Sequence, residues 1–234
     1  EVWTKVDGRR IQGWFYEAPA TRGRPAPTVV EIHGGPATLY GFSLFWEWQV
    51  MVGRGLSVFA CNPRGSTGYG QAYAVANFRD WGPGPQADIE AGLAKLAKTG
   101  SVDLERVGVT GGSYGGYLTA MGLARASDLF AAGVDIHGVH DWNVVMTGFR
   151  PSYEPEEYPE FSQLAYDSSP MAFMDGWTSP VLLIHGDDDR NVPFSETVDV
   201  AEALSRRGVE YEQLIFPDEV HGFLLHRNWV AAFE

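Results

Sequence analysis

A serine stands between glycines at a predicted turn from strand to helix. Gly111, Ser113 and Gly115 form the pattern Gly-x-Ser-x-Gly, directly after the apolar run 106–109 and directly before the helix-like segment 117–124. Such a sharp turn holds a serine in a strained conformation with its hydroxyl in solvent, and glycines leave room for the neighbouring backbone. The first N–H groups of the helix then face the place where an oxyanion would form. This context predicts a nucleophilic serine.

Two later strands lead to a carboxylate loop and to a histidine. The apolar strand at 180–185 opens into three consecutive aspartates at 187–189, and the strand at 211–216 leads to His221. A serine is a weak nucleophile at neutral pH, so it needs an imidazole to take its proton and a carboxylate to fix the tautomer of that imidazole. The chain order Ser, Asp, His is that of α/β-hydrolases. The residues alone leave open which aspartate is the acid.

Four motifs make the chain resemble the catalytic domain of the prolyl oligopeptidase family of serine peptidases, near its acylaminoacyl-peptidase and dipeptidyl-peptidase branches. They are His-Gly-Gly-Pro at 33–36, Asn-Pro-Arg-Gly-Ser-Thr-Gly-Tyr-Gly at 62–70, Gly-Gly-Ser-Tyr-Gly-Gly at 111–116, and His185-Gly-x-x-Asp189 followed by His221-Gly-Phe. The resemblance covers nearly the whole chain. It implies a serine exo- or oligopeptidase that cleaves short peptides through an acyl-enzyme on Ser113.

The resemblance also assigns the other members of the triad. The family's acid is the aspartate four residues after the histidine of His-Gly-x-x-Asp, which is Asp189 here, and the base is His221. Asp188 stays open as an alternative acid, whereas Asp187 is expected to be a solvated or capping carboxylate.

An oxyanion hole needs two donors aimed at the developing negative charge. The first expected donor is the backbone N–H of Tyr114, directly after the nucleophile. The resemblance implies that the second comes from the backbone of Gly35, in the loop after the strand at 28–32. His33, in the same loop, is expected to hold the loop through a hydrogen bond.

The resemblance places four residues around the pocket for the side chain before the scissile bond. Val139 and Trp142 are expected to form its walls, with Val192 and Tyr114 opposite, and ordinary core packing stays open for Val139 and Trp142. Asn191 occupies the position where many relatives carry an arginine that holds a substrate carbonyl. An apolar pocket would favour proline, alanine or larger hydrophobic residues.

Alternating strand-like and helix-like segments predict an α/β-hydrolase fold, a mostly parallel, doubly wound sheet of about eight strands with helices on both faces. The sheet is expected to begin with an antiparallel pair of strands that turns at Asp7-Gly8. A Pro/Arg-rich loop is expected at 21–27, and residues 142–176 are expected to form a cap-like excursion between strands. The predicted strands are 2–6, 10–17, 28–32, 57–61, 107–110, 131–136, 181–185 and 210–216. The predicted helices lie near 43–53, 86–99, 114–125, 194–207 and 224–234.

The composition argues against several classes of partner and cofactor. A net charge of −13 argues against nucleic acid, whose phosphates require basic patches. No apolar run reaches 18 residues, which argues against a membrane span. The single cysteine, Cys61, cannot form an internal disulfide, which fits the cytoplasm and leaves the periplasm or secretion open. The histidines show no ligand spacing such as His-Glu-x-x-His, so no metal or other cofactor is expected.

Both ends look truncated, and no propeller repeats occur, although family members usually carry an N-terminal β-propeller. We therefore expect residues 1–234 to be a hydrolase domain whose partners are a short peptide or acylated amino acid and, in the full-length protein, a propeller. A homo-oligomer stays open. Two other functions also stay open: a carboxylesterase, since the triad does not distinguish esters from amides, and a non-catalytic module on the same fold.

Overall fold

One eight-stranded sheet organises the chain in the computed structural model, which describes residues 1–19 and 24–234. Its strand order is β1-β2-β4-β3-β5-β6-β7-β8. Only the pairs β1–β2 and β2–β4 are antiparallel, which confirms the predicted mostly parallel sheet with its antiparallel entry. The strands are β1 (Val2–Val6), β2 (Arg9–Tyr16), β3 (Thr28–Ile32), β4 (Ser57–Asn62), β5 (Val107–Gly112), β6 (Ala132–Ile136), β7 (Val181–Gly186) and β8 (Tyr211–Phe216).

Helices follow most of the strands. They are α1 (Trp46–Gly53), α2 (Gln71–Ala74), α3 (Pro83–Lys98), α4 (Tyr114–Arg125), α5 (Trp142–Phe149), α6 (Pro159–Asp167), α7 (Ser195–Arg207) and α8 (His226–Ala232). The predicted excursion contains α5, α6 and a 3₁₀ turn at Pro170–Gly176. The predicted loop at 21–27 lies partly outside the described residues. Helix α3 begins three residues before its predicted start, because prolines fit a first helical turn, where no N–H is needed.

Strand β4 shows why the sheet needs helices on both sides. All six of its residues are buried, as expected for a strand with both faces covered. Phe59 and Cys61 join the large core cluster shared with α3, α4 and α7, whereas Val58 and Ala60 pack with Trp48 of α1 on the opposite face. Cys61 is a buried free thiol, and burial raises its pKa. None of the helices in the described part of the chain is long and apolar enough to cross a bilayer.

Half-buried Glu31, beneath α1, makes the stability of the fold depend on pH. The Trp48 indole N–H donates to Glu31 Oε2 at 2.5 Å, and burial, with nearby Glu47, raises the pKa of Glu31 from 4.5 to about 7. The folded chain therefore keeps a proton that the unfolded chain releases near pH 4.5. The stability contributed by Glu31 is full below that pH and falls as the pH rises to about 7.

We expect Glu31→Gln to remove this dependence. The wild type should lose stability between pH 4.5 and pH 8, whereas the variant should not. The difference between their free energies of unfolding should therefore change in favour of the variant by at most about 3 kcal/mol, the energy of the pKa change. Urea unfolding at both pH values measures the difference. Exposed Glu212→Gln is the control and should shift little. An equal difference from the wild type at both pH values would contradict the assignment.

Candidate active site

The turn between β5 and α4 presents Ser113 at the carboxyl end of the sheet. Ser113 has φ 59° and ψ −118°, a left-handed conformation that is strained for a residue with a Cβ. A Cβ atom on Gly111 or on Gly115 would collide with the carbonyl oxygen of Ile32. Only glycine therefore allows this turn to pack against β3. The sharp strand-to-helix turn predicted from Gly-x-Ser-x-Gly is present in the structure.

The loop after β7 holds Asp189 against His221, which lies in the loop after β8. His221 Nδ1 donates to Asp189 Oδ2 at 2.6 Å, and His185 Nε2 lies 3.1 Å from the same oxygen. The other oxygen, Oδ1, accepts the N–H groups of Asn191 and Val192 at 2.8 and 3.0 Å. Burial opposes ionisation of Asp189, but these four donors together hold its pKa far below the usual range. A buried carboxylate thus fixes the His221 tautomer that leaves Nε2 free.

The neighbouring aspartates lie outside this network. Asp188 is exposed and forms an ion pair with exposed Arg190 at 3.0 Å. Asp187 is also exposed and accepts the N–H of Asp218 at 2.7 Å. The geometry therefore pairs Asp189, and not Asp188, with His221, and Asp187 caps a turn.

Ser113 and His221 face one cavity of about 480 Å³, which His33, Gly34 and His137 also line. Among the described residues, no hydrogen bond joins the Ser113 hydroxyl to His221. Catalytic hydrogen bonds are often long or misaligned without substrate and tighten when it binds. The nucleophile and the base thus share one cavity beside a fixed carboxylate.

The first turn of α4 and the loop after β3 provide backbone for an oxyanion site. Tyr114 is the first residue of α4, so its N–H has no acceptor within the helix, while its side chain is buried with its hydroxyl on the Trp81 carbonyl. The loop after β3 approaches the nucleophile at Gly34, where an added Cβ would lie 3.5 Å from Ser113 Cβ. Gly35 has φ 119°, which only glycine adopts easily. Its role as second donor stays a prediction.

His33 holds this loop, as expected from the sequence. Its Nδ1 lies 2.6 Å from the Gly34 carbonyl oxygen, and its Nε2 lies 3.0 Å from Ser66 Oγ. Nδ1 donates to the Gly34 oxygen, because a carbonyl can only accept, and burial lowers the pKa of His33. The ring therefore connects the loop after β3 to the Asn-Pro-Arg-Gly-Ser motif.

Comparison with known proteins matches the sequence to a family. The prolyl oligopeptidase family matches residues 41–234. The chain belongs to this family. The uncharacterized peptidase YuxL of Bacillus subtilis is 31% identical over 92% of this chain and 34% of its own length. Dipeptidyl aminopeptidase BIII of Pseudoxanthomonas mexicana is 31% identical over 87% of this chain and 31% of its own length.

Solved structures agree. An acylaminoacyl peptidase in complex with Z-Gly-Gly-Phe-chloromethyl ketone superimposes with a TM-score of 0.89 at 28% identity, over 100% of this chain and 39% of its own. The shared architecture is the α/β-hydrolase fold that the sequence predicts. The chain spans about a third of the length of the curated relatives described above.

The residues predicted to line the specificity pocket of this prolyl oligopeptidase domain lie outside the cavity that contains Ser113 and His221. Among the described residues, the lining of that cavity includes none of Val139, Trp142, Val192, Tyr114 and Asn191. Val139 and Val192 are buried in the main core cluster, and Asn191 is exposed. Half-buried Trp142 packs on Tyr117 and Trp81, with ring centroids 5.1 and 5.3 Å away. Val139 and Val192 thus belong to the main core, against which Trp142 packs, and contact of these three residues with substrate stays a prediction.

His137, the residue directly after β6, flanks a strand end near the expected pocket, and the sequence assigned it no role. Its Nδ1 accepts the N–H of Ser113 at 3.0 Å, and its ring centroid lies 4.2 Å from that of His221. His137, Asp189 and His221 also offer three potential metal-ligand atoms within 4.8 Å of one another. Its position was the available signal, because the carboxyl end of the strand beside β5 must lie next to the nucleophile.

Proposed function

We propose that this chain is the catalytic domain of a serine peptidase that cleaves short peptides or acylated amino acids. The observation that carries the proposal is the buried Asp189–His221 pair, which faces the same cavity as Ser113 in its strained turn. Peptidase names among the relatives support the reaction class. The length of those relatives supports a further domain in the complete protein, for which we propose a β-propeller.

In this mechanism, the Ser113 hydroxyl oxygen attacks the scissile carbonyl carbon while His221 Nε2 takes its proton. Asp189 stays ionised and stabilises the imidazolium that forms. The Tyr114 N–H and the loop after β3 bind the oxyanion. His221 then gives the proton to the leaving amine, which breaks the C–N bond and leaves an ester on Ser113. Water, deprotonated by the same histidine, hydrolyses that ester and restores the enzyme.

The competing reading is an esterase, because the same groups hydrolyse esters. Kinetics with aminoacyl-arylamides and with short p-nitrophenyl esters separate the two. We expect turnover of both substrate types, and we expect Ser113→Ala to lose both activities. Ester turnover without measurable arylamide turnover would replace peptidase with esterase.

Trp142, which packs on Tyr117 and Trp81, gives a prediction on specificity. We expect Trp142→Ala to lower kcat/KM for arylamides with proline or phenylalanine before the scissile bond about 10- to 200-fold, because one large apolar contact with the transition state is lost. Alanine arylamides, which fill less of the pocket, should lose less. Steady-state kinetics on the three substrates provide the measurement. Equal losses on all three would mean that Trp142 supports the core without touching substrate.

A further inference from the structure

We propose that His137 is a positioning residue that holds the His221 ring and the Ser113 turn in the relative position that proton transfer requires. The proposal rests on the serine hydrolase reaction given above. It concerns a side chain that takes no part in the bond-making steps and that the four sequence motifs do not include.

His137 touches both partners of the proton transfer. Its ring packs against that of His221, with centroids 4.2 Å apart and planes tilted by 43°. Asp189 holds the His221 ring through Nδ1, and His137 packs against the same ring. The Ser113 N–H is shared between the Ile136 carbonyl oxygen at 2.9 Å and His137 Nδ1 at 3.0 Å. One side chain thus limits the tilt of the base and tethers the backbone of the nucleophile.

The protonation state of His137 follows from these contacts. To accept the Ser113 N–H, Nδ1 must carry no proton, so the neutral tautomer has its hydrogen on Nε2. Burial, together with neighbouring His221 and His185, lowers the pKa of His137 to about 3, against a smaller opposite effect of Asp189. His137 therefore stays neutral when His221 takes the serine proton. The proton therefore remains on His221, which must later donate it to the leaving amine.

The backbone at His137 is held in an unfavourable conformation. Its φ is 42°, in the left-handed region that few residues other than glycine adopt, although histidine adopts it more often than most. The His137 N–H donates to the Ile184 carbonyl oxygen at 2.7 Å, which holds the backbone of His137 against β7. Strain of this kind concentrates at functional sites. Here it aims the imidazole over Gly112, toward Ser113 and His221.

Three substitutions separate the two contacts. His137→Asn keeps an acceptor for the Ser113 N–H and tolerates a positive φ, but it removes the ring. His137→Phe keeps a ring against His221 but removes the acceptor. His137→Ala removes both. Exposed His226→Asn, on α8, is the matched control.

We expect His137→Ala to lower kcat for an aminoacyl-arylamide about 10- to 100-fold with little change in KM, because a misplaced base slows chemistry without weakening ground-state binding. The Asn and Phe variants should each recover part of that loss, and His226→Asn should match the wild type. The rate at which a fluorophosphonate labels Ser113 should fall in the same order. Melting temperature and the downfield proton resonance of the His221–Asp189 hydrogen bond report whether fold and dyad persist.

Values of kcat and labelling rate within about twofold of the wild type in His137→Ala would overturn the proposal. If that variant does not fold, the Asn and Phe variants decide in its place, and wild-type rates in both would overturn it. A parallel rise in KM would also contradict it, by making His137 a substrate contact. These outcomes leave the proposed function intact. A wild type that neither hydrolyses arylamides nor reacts with the phosphonate would remove the proposed function, and the role of His137 with it.

Discussion

Ser113→Ala is expected to lower kcat at least about 10⁴-fold and to abolish labelling by serine-directed phosphonates, because the variant has no oxygen with which to form the acyl-enzyme. The substitution removes one half-exposed hydroxyl from a turn whose glycines, not its serine side chain, make room for the backbone. Fold stability should therefore change little. Residual arylamide hydrolysis in single-turnover assays gives the measurement.

His221→Ala should cost nearly as much as Ser113→Ala, and the double variant should be hardly worse than either single one, since nucleophile and base act as one unit. Additive losses would contradict this account, because they would mean that the two residues contribute independently. His226→Ala, a histidine on the surface of α8, controls for the loss of an imidazole as such.

Asp189→Asn is expected to lower kcat on the order of 10⁴-fold through the wrong His221 tautomer. In the wild type, Oδ2 accepts from His221 and also lies 3.1 Å from His185 Nε2, while Oδ1 accepts two backbone N–H groups. An amide can keep its oxygen on the two N–H groups, but its NH₂ then faces His221 Nδ1. That nitrogen becomes an acceptor, and the proton moves to Nε2, where it blocks the serine.

Asp188→Asn provides the matched control for the acid, because it makes the same chemical change one residue away. Asp188 is exposed and paired only with Arg190 among the residues that the structure describes, so its loss should leave kcat unchanged. Surface pairs of this kind contribute little to stability. A damaging Asp188→Asn beside a silent Asp189→Asn would show that the wrong carboxylate has been assigned.

Local patterns were enough to predict the sheet and the turn at Ser113. Strand β4 is a short apolar run that a doubly wound sheet buries on both faces, and Gly111 and Gly115 leave room that no other residue allows. The place of Ser113, Asp189 and His221 at the ends of strands follows from the order of the strands. Choosing Asp189 over Asp188 required the family resemblance, because spacing alone does not say which of two adjacent carboxylates turns inward.

The direction of the His137 side chain could not be derived from sequence, because it depends on a backbone angle and on contacts across the sheet. Its φ of 42° turns the imidazole from the end of β6 toward residues that follow β5 and β8. No local pattern encodes that direction. The early start of α3 has a simpler cause, because prolines that usually break helices are tolerated in the first turn.

Identifying the residue that forms the covalent intermediate tests the central claim most directly. Protein treated with a fluorophosphonate is digested, and mass spectrometry locates the adduct. This account predicts a single adduct on Ser113, its loss in Ser113→Ala, and much slower formation in His221→Ala and Asp189→Asn. An adduct on another residue, or labelling of Ser113 at the wild-type rate without His221, would contradict it.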